Sequence, residues 1–444
     1  MEDYKSTSAH DGAQANLKLA APSAFAGART AVPVEQPQQQ QQQHHTMPNR
    51  VELHVHLDGS VSPATLLRIS QSRALRLPGI NRVPSSTADI WTALRSMGEI
   101  WKWFDLVNMI IGGNETALRQ IAEDFVARQA SFGINYTEVR WDPIRPSHSV
   151  LANNTPPLSY ERTIAAVAAG LKAGSERHGV EVHQLLCAMR NTTRDKCFEL
   201  ARLAERTRSG EMGGVVGMDL AGDEFHWNNS KNDVEACFRY AKEELQLNTT
   251  VHAGEMADDE YNDVRTAVEV MLVDRVGHGY AATQDEGVLN MLVRSGVHVE
   301  SCPAGRHDNL QATGVYRRRG VNFGISTDDP AEYFGNVSLV QVEALIRSQL
   351  GFNDADIAQA HSRAFKARFA PDAARIAAAR RSGAAAGSRS VKLVELTLVL
   401  VLVVGVFFFC VCYWARRFVR RRRPSKAGAT EITLTVPGVV EASE

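Results

Sequence analysis

Eight short segments rich in Val, Ile and Leu recur along the middle of this 444-residue chain, and each of them ends in polar residues. They are residues 51–56, 135–140, 181–188, 215–220, 248–252, 275–278, 297–301 and 321–327. Stretches with helical spacing separate them, among them 117–129, 160–176, 232–245 and 264–273. Strands that alternate with helices indicate βαβ units and a parallel sheet. Eight units within roughly 300 residues predict an α/β fold, the (β/α)8 TIM barrel, for which about 250 residues is typical.

The gap between the first two segments is too long for a single helix. It predicts extra helices after strand 1, with Trp91, Trp101 and Trp103 in their packing. The competing fold is an open, doubly wound sheet, which usually carries a Gly-rich phosphate turn after its first strand. Here the first strand runs directly into His54 and His56, so the sequence favours the closed barrel.

The regions on either side of the barrel differ from it in composition. Residues 1–48 are rich in Ala, Pro and Gln and predict a disordered, low-complexity segment, because such a sequence buries too little apolar surface to fold. We expect the barrel to span 49–375, a linker 376–392 and a basic, mostly disordered tail 416–444. Since 49 Lys and Arg residues balance 50 acidic ones, the net charge predicts no nucleic-acid partner.

An apolar run without a single charge occupies residues 396–414. Its length is close to the ~20 residues that cross a bilayer as a helix. Tyr413 and Trp414 at its end suit the membrane interface. We therefore predict one C-terminal transmembrane helix at 393–415 and a single-pass membrane protein.

The orientation in that membrane depends on conflicting signals. No signal peptide is visible at the N-terminus, which favours a tail-anchored protein with a cytosolic barrel. The arginine cluster at 416–423 favours the alternative, an exoplasmic barrel with a cytosolic basic tail, and so do the glycosylation sequons at Asn114 and Asn191. The cysteines outside the apolar run lack paired spacing, so we expect a reduced compartment and no disulfide framework. The first orientation is the prediction.

Titratable side chains accumulate where the predicted strands end. His54 and His56 are two residues apart on the first strand, so both imidazoles point to the same side. The fifth strand ends in His252 and the sixth in His278. The eighth ends just before the pair Asp328 and Asp329. Because the carboxyl ends of barrel strands meet at one opening, four histidines and two carboxylates would share the same small space.

Such a cluster is typical of a metal site. Burying several ionisable groups together is unfavourable unless they pair or bind a cation. Imidazole nitrogens combined with a carboxylate oxygen suit zinc, and an open coordination position makes such a site catalytic. Zinc lowers the pKa of bound water to about 7. We predict one Zn²⁺ ion per chain, although ligand type alone also allows divalent iron or cobalt.

Six runs closely resemble the adenosine deaminase family of the metal-dependent amidohydrolase superfamily, the group of adenosine and AMP deaminases. They are VELHVHLDG at 51–59, YTEVRWDP at 136–143, MDLAGDE at 218–224, TVHAGE at 250–255, VGHGY at 276–280 and STDDP at 326–330. They occur in the family's order, and the resemblance covers about residues 49–371. It implies zinc-dependent hydrolysis of adenosine and 2'-deoxyadenosine to inosine and ammonia, a reaction of purine salvage.

The resemblance also implies the residues that carry the reaction. The zinc ligands would be His54, His56, His252 and Asp328. Glu255 matches the acid that protonates the purine nitrogen beside the attacked carbon, which makes that carbon electrophilic. His278 matches the base that orients and stabilises the hydroxide nucleophile. Asp328 would additionally accept a hydrogen bond from the attacking water.

Four residues are implied as substrate contacts: Asp58, Gly222, Asp329 and the zinc ligand His56. Asp329 matches the residue that holds the imidazole ring of the purine, and Gly222 the one whose backbone amide meets a ring nitrogen. Asp329 also fits a helix N-cap before Pro330. Asp58 matches the ribose contact, and an aspartate there favours an unphosphorylated nucleoside over free adenine or a methylated adenine nucleotide.

Other functions remain open on the sequence. Arg306 lies in a segment that departs from the family and suggests either an acidic substrate or an exposed loop charge. The alternatives are a deaminase of adenine or of an N6-substituted adenine nucleotide, and a non-catalytic adenosine-binding barrel. A two-metal, ring-opening hydrolase needs a lysine on the fourth strand, which is absent there. Tyr280, Arg140 and His361 are interpreted as structural.

Overall fold

The eight predicted strands form one parallel sheet whose order follows the chain. They are β1 (Arg50–His56), β2 (Ile134–Trp141), β3 (Glu181–Met189), β4 (Val215–Ala221), β5 (Thr249–Ala253), β6 (Arg275–His278), β7 (His298–Ser301) and β8 (Phe323–Ile325). The computed structural model describes residues 50–97, 102–151, 156–224, 231–255, 261–305, 307–331 and 334–370. A parallel bridge between Val55 and Asp328 links β1 to the segment after β8 and nearly closes the sheet. The predicted (β/α)8 barrel is confirmed.

Helices connect each strand to the next. Within the described residues they are α1 (Pro63–Ser72), α2 (Thr87–Ser96), α3 (Lys102–Ile111), α4 (Glu115–Ser131), α5 (Tyr160–His178), α6 (Arg194–Thr207), α7 (Lys231–Glu243), α8 (Tyr261–Glu269), α9 (Glu286–Ser295), α10 (His307–Arg319), α11 (Leu339–Leu350) and α12 (Asp354–Ala367). The extra helices predicted after strand 1 are α1 to α3. The rings of Trp91 and Trp103 pack there at 5.9 Å, whereas Trp101 lies outside the described residues.

Local signals explain where a helix such as α5 begins and ends. The side chain of Ser159 accepts a hydrogen bond from the backbone N–H of Arg162, which caps the first turn. Gly179, with φ +73°, ends the helix in the left-handed conformation that glycine adopts without steric strain. Between them Ile164, Val167 and Leu171 are buried, which fixes the face that packs against the barrel.

The final strand is shorter than predicted. The sequence indicated a strand over 321–327, but β8 contains only Phe323–Ile325. The chain leaves the extended conformation at Asp328, whose φ is +67°. This turn carries Asp328 back against β1, where its N–H donates to His54 O and its carbonyl accepts from His56 N–H.

Buried charges form a continuous network inside the barrel. Arg275 contacts Glu138 Oε2 and Glu300 Oε1, each at 2.6 Å. Arg140 contacts Glu300 Oε2 at 2.6 Å and Asp219 Oδ2 at 3.2 Å. All five side chains are excluded from solvent, so the network holds only because each charge has an opposite partner. The structural interpretation of Arg140 agrees with this geometry.

Two cysteines are joined where the sequence predicted no disulfide. Cys197 on α6 and Cys237 on α7 form a disulfide across adjacent helices. They are 40 residues apart in sequence, so no local spacing reveals the pairing. Cys187 and Cys302 are free and buried.

The helices of the described residues contradict the predicted membrane location. Among the helices of the described residues, none is both long enough and apolar enough to cross a bilayer. The 19-residue helix α5 has the length but carries charged side chains in its first turn and in its C-terminal half. Neither predicted orientation is retained. The segment 1–48, the linker 376–392, the predicted span 393–415 and the tail 416–444 lie outside the described residues.

Candidate active site

The carboxyl ends of the strands, here called the mouth, bring the predicted cluster together. His54 and His56 lie on β1, His252 on β5, and His278 ends β6. Asp328 reaches the same place through the turn after β8. Residues separated by more than 270 positions in the sequence thus face one another across the barrel.

Donor atoms at the mouth are spaced as in a metal site. Asp328 Oδ1 lies 3.3 Å from the Nε2 atoms of both His54 and His56. His56 Nε2 lies 3.2 Å from His252 Nε2. A tetrahedral ion with bonds of about 2.0–2.1 Å separates its ligand atoms by about 3.3 Å, so these distances fit such an ion.

Outer carboxylates fix the two buried imidazoles. His54 Nδ1 bonds Glu300 Oε2 at 2.8 Å, and His252 Nδ1 lies 3.1 Å from Asp219 Oδ2. Both rings therefore turn Nε2 towards the mouth. His54 Nε2 is buried and makes no hydrogen bond within the described part of the chain. A carboxylate behind a histidine is the usual support for a metal ligand, and an orphaned nitrogen in front of it indicates a ligand position.

The protonation states of His252 and His278 agree with metal binding, whereas the carboxylates of Asp329 and Asp328 outweigh burial and raise the pKa of His56 to about 9. Burial lowers the pKa of His252 to about 4 and holds the pKa of His278 well below its usual value. Both imidazoles are consequently neutral near pH 7, which is the form that binds metal ions. Burial raises the pKa of Asp219, but the charge of Arg140 and the hydrogen bond with His252 outweigh burial and hold that pKa below its ordinary value.

His278 shares the space with this cluster. His54, His252, His278 and Asp328 offer donor atoms that all lie within 4.8 Å of one another, so they have the groups to hold a metal ion. His278 Nε2 is 3.9 Å from Asp328 Oδ2, farther than His56 is from the same carboxylate. Within the described residues neither ring nitrogen of His278 is hydrogen-bonded.

The backbone at the mouth is tightly constrained. His278 has φ +62°, a conformation that is rare for residues with a side chain and tends to occur at functional sites. A Cβ atom added at Gly277 would come within 2.8 Å of His54 Cε1. One added at Gly59 would lie 1.6 Å from Asp329 Oδ1. Glycine is therefore required at both positions for the neighbouring side chains to keep their places.

A cavity of about 660 Å³ opens over the cluster. Its volume is within the range of about 300–1,000 Å³ that is usual for small-molecule sites. The predicted residues that line it are His56, Asp58, Gly222, His252, Glu255, His278, Asp328 and Asp329. His54 lies behind this wall, buried against Glu300.

Several carboxyl groups line the cavity. Burial raises the pKa of Asp58 and raises that of Asp142 to about 6. Burial and the neighbouring charge of Asp328 hold the pKa of Asp329 well above its usual value. Arg145, a cation on the same wall, is 2.6 Å from Asp105 Oδ1, which offsets its charge.

The remaining residues named in the sequence lie elsewhere. Tyr280 is buried behind the mouth, where its hydroxyl accepts from the N–H of Cys302. His361 lies at the opposite end of the barrel, bonded to Glu343 and Val51. Both positions agree with a structural interpretation. Arg306 lies outside the described residues.

The sequence did not reveal the residues that support the cluster from behind. Glu300 comes from β7 and Asp219 from β4, and each contacts a histidine on another strand. Arg190 and Glu224 form a further buried pair at 3.1 Å, beside Gly222. Charged residues within or directly after apolar strands were the available signal, but their partners are distant in sequence.

Comparisons with known proteins agree with the geometry. The family model for adenosine deaminase matches residues 49–381. Adenosine deaminase of Mus musculus is 30% identical over 351 residues, which cover 73% of this chain and 93% of the mouse protein.

Solved structures share the fold at lower identity. An amidohydrolase from Burkholderia ambifaria, whose structure contains bound Zn, has a TM-score of 0.62 at 20% identity and covers 74% of this chain and 87% of its own. Arabidopsis N6-mAMP deaminase has a TM-score of 0.59 at 24% identity and covers 73% of this chain and 94% of its own. Since the family model spans most of the chain and includes the whole mouth, this protein belongs to the adenosine deaminase family of the amidohydrolase superfamily.

Proposed function

We propose that this protein uses one zinc ion to deaminate adenosine, and 2'-deoxyadenosine, to inosine and ammonia. The observation that carries the proposal is the spacing of 3.2–3.3 Å between donor atoms of His54, His56, His252 and Asp328 at the floor of the cavity. Membership of the deaminase family supports the reaction class, and the wall of the cavity supports the choice of substrate.

His54, His56, His252 and Asp328 are the proposed zinc ligands. His56 is preferred to His278 as the fourth ligand because its Nε2 is close to both Asp328 and His252, whereas His278 is 3.9 Å from Asp328. A zinc ion bound there supplies a nucleophile at neutral pH by lowering the pKa of water. Glu300 and Asp219 keep the rings of His54 and His252 oriented towards the ion.

Proton transfer is assigned to Glu255, His278 and Asp328. Glu255 lines the cavity three residues after His252, where it can donate a proton to the purine nitrogen next to the attacked carbon. His278 is neutral because of burial, so it can accept a proton from the attacking water. Asp328 lies between His54 and His56 and can orient that water with its second oxygen.

The purine and the ribose are assigned to opposite sides of the cavity. Asp329, whose pKa is raised, can donate its proton to the imidazole ring of the purine. Gly222, His56 and Asp58 line the cavity, where the Gly222 amide and the His56 ring would border the base and Asp58 would face the ribose. A hydroxyl group can both donate to and accept from a carboxyl group such as Asp58.

The charge of the wall favours a nucleoside over a nucleotide. Asp58 and Asp142 line the proposed ribose side, where a 5'-phosphate would meet two partly buried carboxyl groups. Placing like charges side by side in a partly buried site is unfavourable. Lys196 also lines the cavity but is exposed, and Arg145 is paired with Asp105. Adenine and N6-substituted AMP remain the alternative substrates, with Arg306 as the residue that would favour the nucleotide.

The test compares substrates on the full-length protein supplied with zinc. We would follow the ultraviolet change as adenosine becomes inosine, with adenine, AMP and N6-methyl-AMP in parallel. Turnover of adenosine and 2'-deoxyadenosine alone is the expected result. Turnover of a nucleotide or of adenine alone would keep the zinc chemistry and reject the nucleoside assignment. Bound zinc with no turnover of any purine would support the non-catalytic binding protein instead.

The acid is tested separately with Glu255→Gln. This variant keeps the shape of the side chain but removes its proton, so we expect normal zinc content and loss of turnover. A fully active Glu255→Gln protein would reject the assignment of Glu255.

A further inference from the structure

Arg190 lies directly after β3 and connects the ends of three strands. Its backbone N–H donates to Ala221 O at 2.9 Å, at the end of β4. Its guanidinium donates to Gly222 O at 3.0 Å and to the carbonyl of His252 on β5. The side chain is almost fully buried. A buried guanidinium with several donors in a fixed planar arrangement holds its acceptors in one geometry.

Glu224 extends this connection to the proposed acid. Its Oε1 accepts from Arg190 Nη2 at 3.1 Å, and its Oε2 accepts from the backbone N–H of Glu255 at 3.2 Å. The carboxylate of Glu224 is 7% exposed, so water screens the pair only weakly. The two side chains therefore link the turn after β4 to the turn after β5 through charge-assisted hydrogen bonds.

Gly222 is held closely against the same pair. It has φ +103°, in a region that only glycine adopts readily. A Cβ atom added there would lie 3.2 Å from Met189 Cε and 3.5 Å from Arg190 N. The direction of the Gly222 backbone thus depends on its packing against the end of β3.

We propose that the Arg190–Glu224 pair is a positioning device that sets the Gly222 amide and Glu255 relative to the metal cluster. The inference rests on the proposed function, because it assigns the pair to substrate orientation and proton transfer. Arg190 contacts the backbone carbonyl of His252, whereas the ring of His252 is oriented by Asp219. Its loss therefore affects turnover and nucleoside affinity, and leaves zinc bound.

The chain contains a matched pair for comparison. Arg50 and Glu343 are buried at the opposite end of the barrel, where Arg50 bonds both carboxylate oxygens at 2.7 and 3.0 Å. This pair has similar burial and chemistry, and neither of its residues is among the described residues that line the cavity. A purely structural effect of losing a buried ion pair should appear equally at both ends.

The experiment uses the full-length zinc-loaded protein with Arg190→Met, Arg190→Met/Glu224→Leu and the control Arg50→Met. For each we would measure kcat, KM, the dissociation constant of inosine, zinc content and melting temperature. Both Arg190 variants should lose about 10- to 100-fold in kcat, the effect expected when catalytic groups are displaced by about 1 Å. Inosine should bind several-fold more weakly, with one zinc retained per chain.

The double variant separates positioning from folding. Replacing both charges with apolar side chains removes the unpaired buried carboxylate, so the melting temperature should recover relative to Arg190→Met. The low kcat should not recover, because the double variant lacks the bond from Arg190 to the Gly222 carbonyl and the bond from the Glu255 N–H to Glu224. Arg50→Met should lower the melting temperature and leave kcat unchanged.

Three results would overturn the inference. They are recovery of kcat together with stability in the double variant, loss of zinc from the Arg190 variants, and an equal loss of kcat in Arg50→Met. If the unmodified protein deaminates no purine, the proposed function fails. The affinity for inosine then still decides the inference, since unchanged binding in the Arg190 variants rejects it.

Discussion

Histidines are buried at both ends of the barrel, but their ring nitrogens have different partners. At the amino end, His361 Nε2 bonds Glu343 Oε1 at 3.0 Å and His361 Nδ1 contacts the backbone of Val51 at 3.3 Å. At the mouth, His54 Nε2 and both nitrogens of His278 are buried without a hydrogen bond in the described part of the chain. Among the described residues, His183 Nδ1 and His298 Nε2 also lack a hydrogen bond, but the unbonded nitrogens at the mouth belong with His252 and Asp328 to one group of donor atoms within 4.8 Å of one another.

This difference separates a structural cluster from a ligand site. Leaving a buried polar group without a partner costs about 1–3 kcal/mol, so a protein keeps such groups where a ligand will satisfy them. The cluster of His361 and Glu343 at the amino end should therefore contribute stability, and the mouth should contribute metal binding and catalysis. Four experiments test this difference between the two ends of the barrel.

The largest difference is expected between His252→Ala and His361→Ala. His252→Ala removes a proposed zinc ligand and should lower zinc affinity by more than about 100-fold, beyond the usual effect of an outer-sphere change, with turnover lost. His361→Ala should retain zinc and kcat while losing about 1–3 kcal/mol of unfolding free energy, because Glu343 loses a partner. Metal analysis, kcat and urea unfolding measure both. Equal zinc loss in the two variants would contradict the separation of the ends.

The second-largest effect is expected on zinc affinity, when Glu300 is compared with Glu343. Glu300→Gln weakens the contact to His54 Nδ1, so we expect zinc affinity to fall about 10- to 100-fold in chelator competition. Glu343→Gln changes an equivalent contact to His361 at the other end and serves as the control. Unchanged zinc affinity in Glu300→Gln would show that Glu300 supports only the arginine network.

Gly59 tests the packing at the mouth. In Gly59→Ala the new methyl group would overlap Asp329 Oδ1, so Asp329 must move and KM for adenosine should rise about 10-fold, as for one lost hydrogen bond. Gly305→Ala is the control, since its nearest neighbour, Asn309 Nδ2, would be 3.5 Å away. A normal KM in Gly59→Ala would remove Asp329 from the proposed substrate contacts.

The smallest expected effect is a pH dependence of the unfolding free energy, which arises from a buried histidine at the amino end. Burial lowers the pKa of His298, at the start of β7, to about 4 from an ordinary value of 6.5. The unfolded chain therefore binds the proton first, and stability is lost as the pH falls from about 6.5 towards 4. We expect a loss of about 1–2 kcal/mol between pH 7 and 5. His298→Gln should flatten this part of the stability curve measured by urea unfolding, and an unchanged slope would assign it to another group.

Local patterns in the sequence predicted much of the fold. Val-rich segments separated by amphipathic stretches identified all eight strands, because strand and helix periodicities are properties of consecutive residues. The two-residue spacing of His54 and His56 predicted imidazoles on one side of β1 for the same reason. The membrane prediction shows the limit of such patterns, since it rested on the apolar composition and length of 396–414 and on the aromatic residues at its end, and no spanning helix is found among the described residues.

The barrel, its family and the residue types at the strand ends follow from the sequence. Which of these residues meet follows from the folded structure: Glu300 with His54, Asp219 with His252, Arg190 with Glu224, and the disulfide between α6 and α7. The physical reason is that each contact joins residues from separate strands or helices. Their distance is set by closure of the barrel, and no spacing within the chain encodes it.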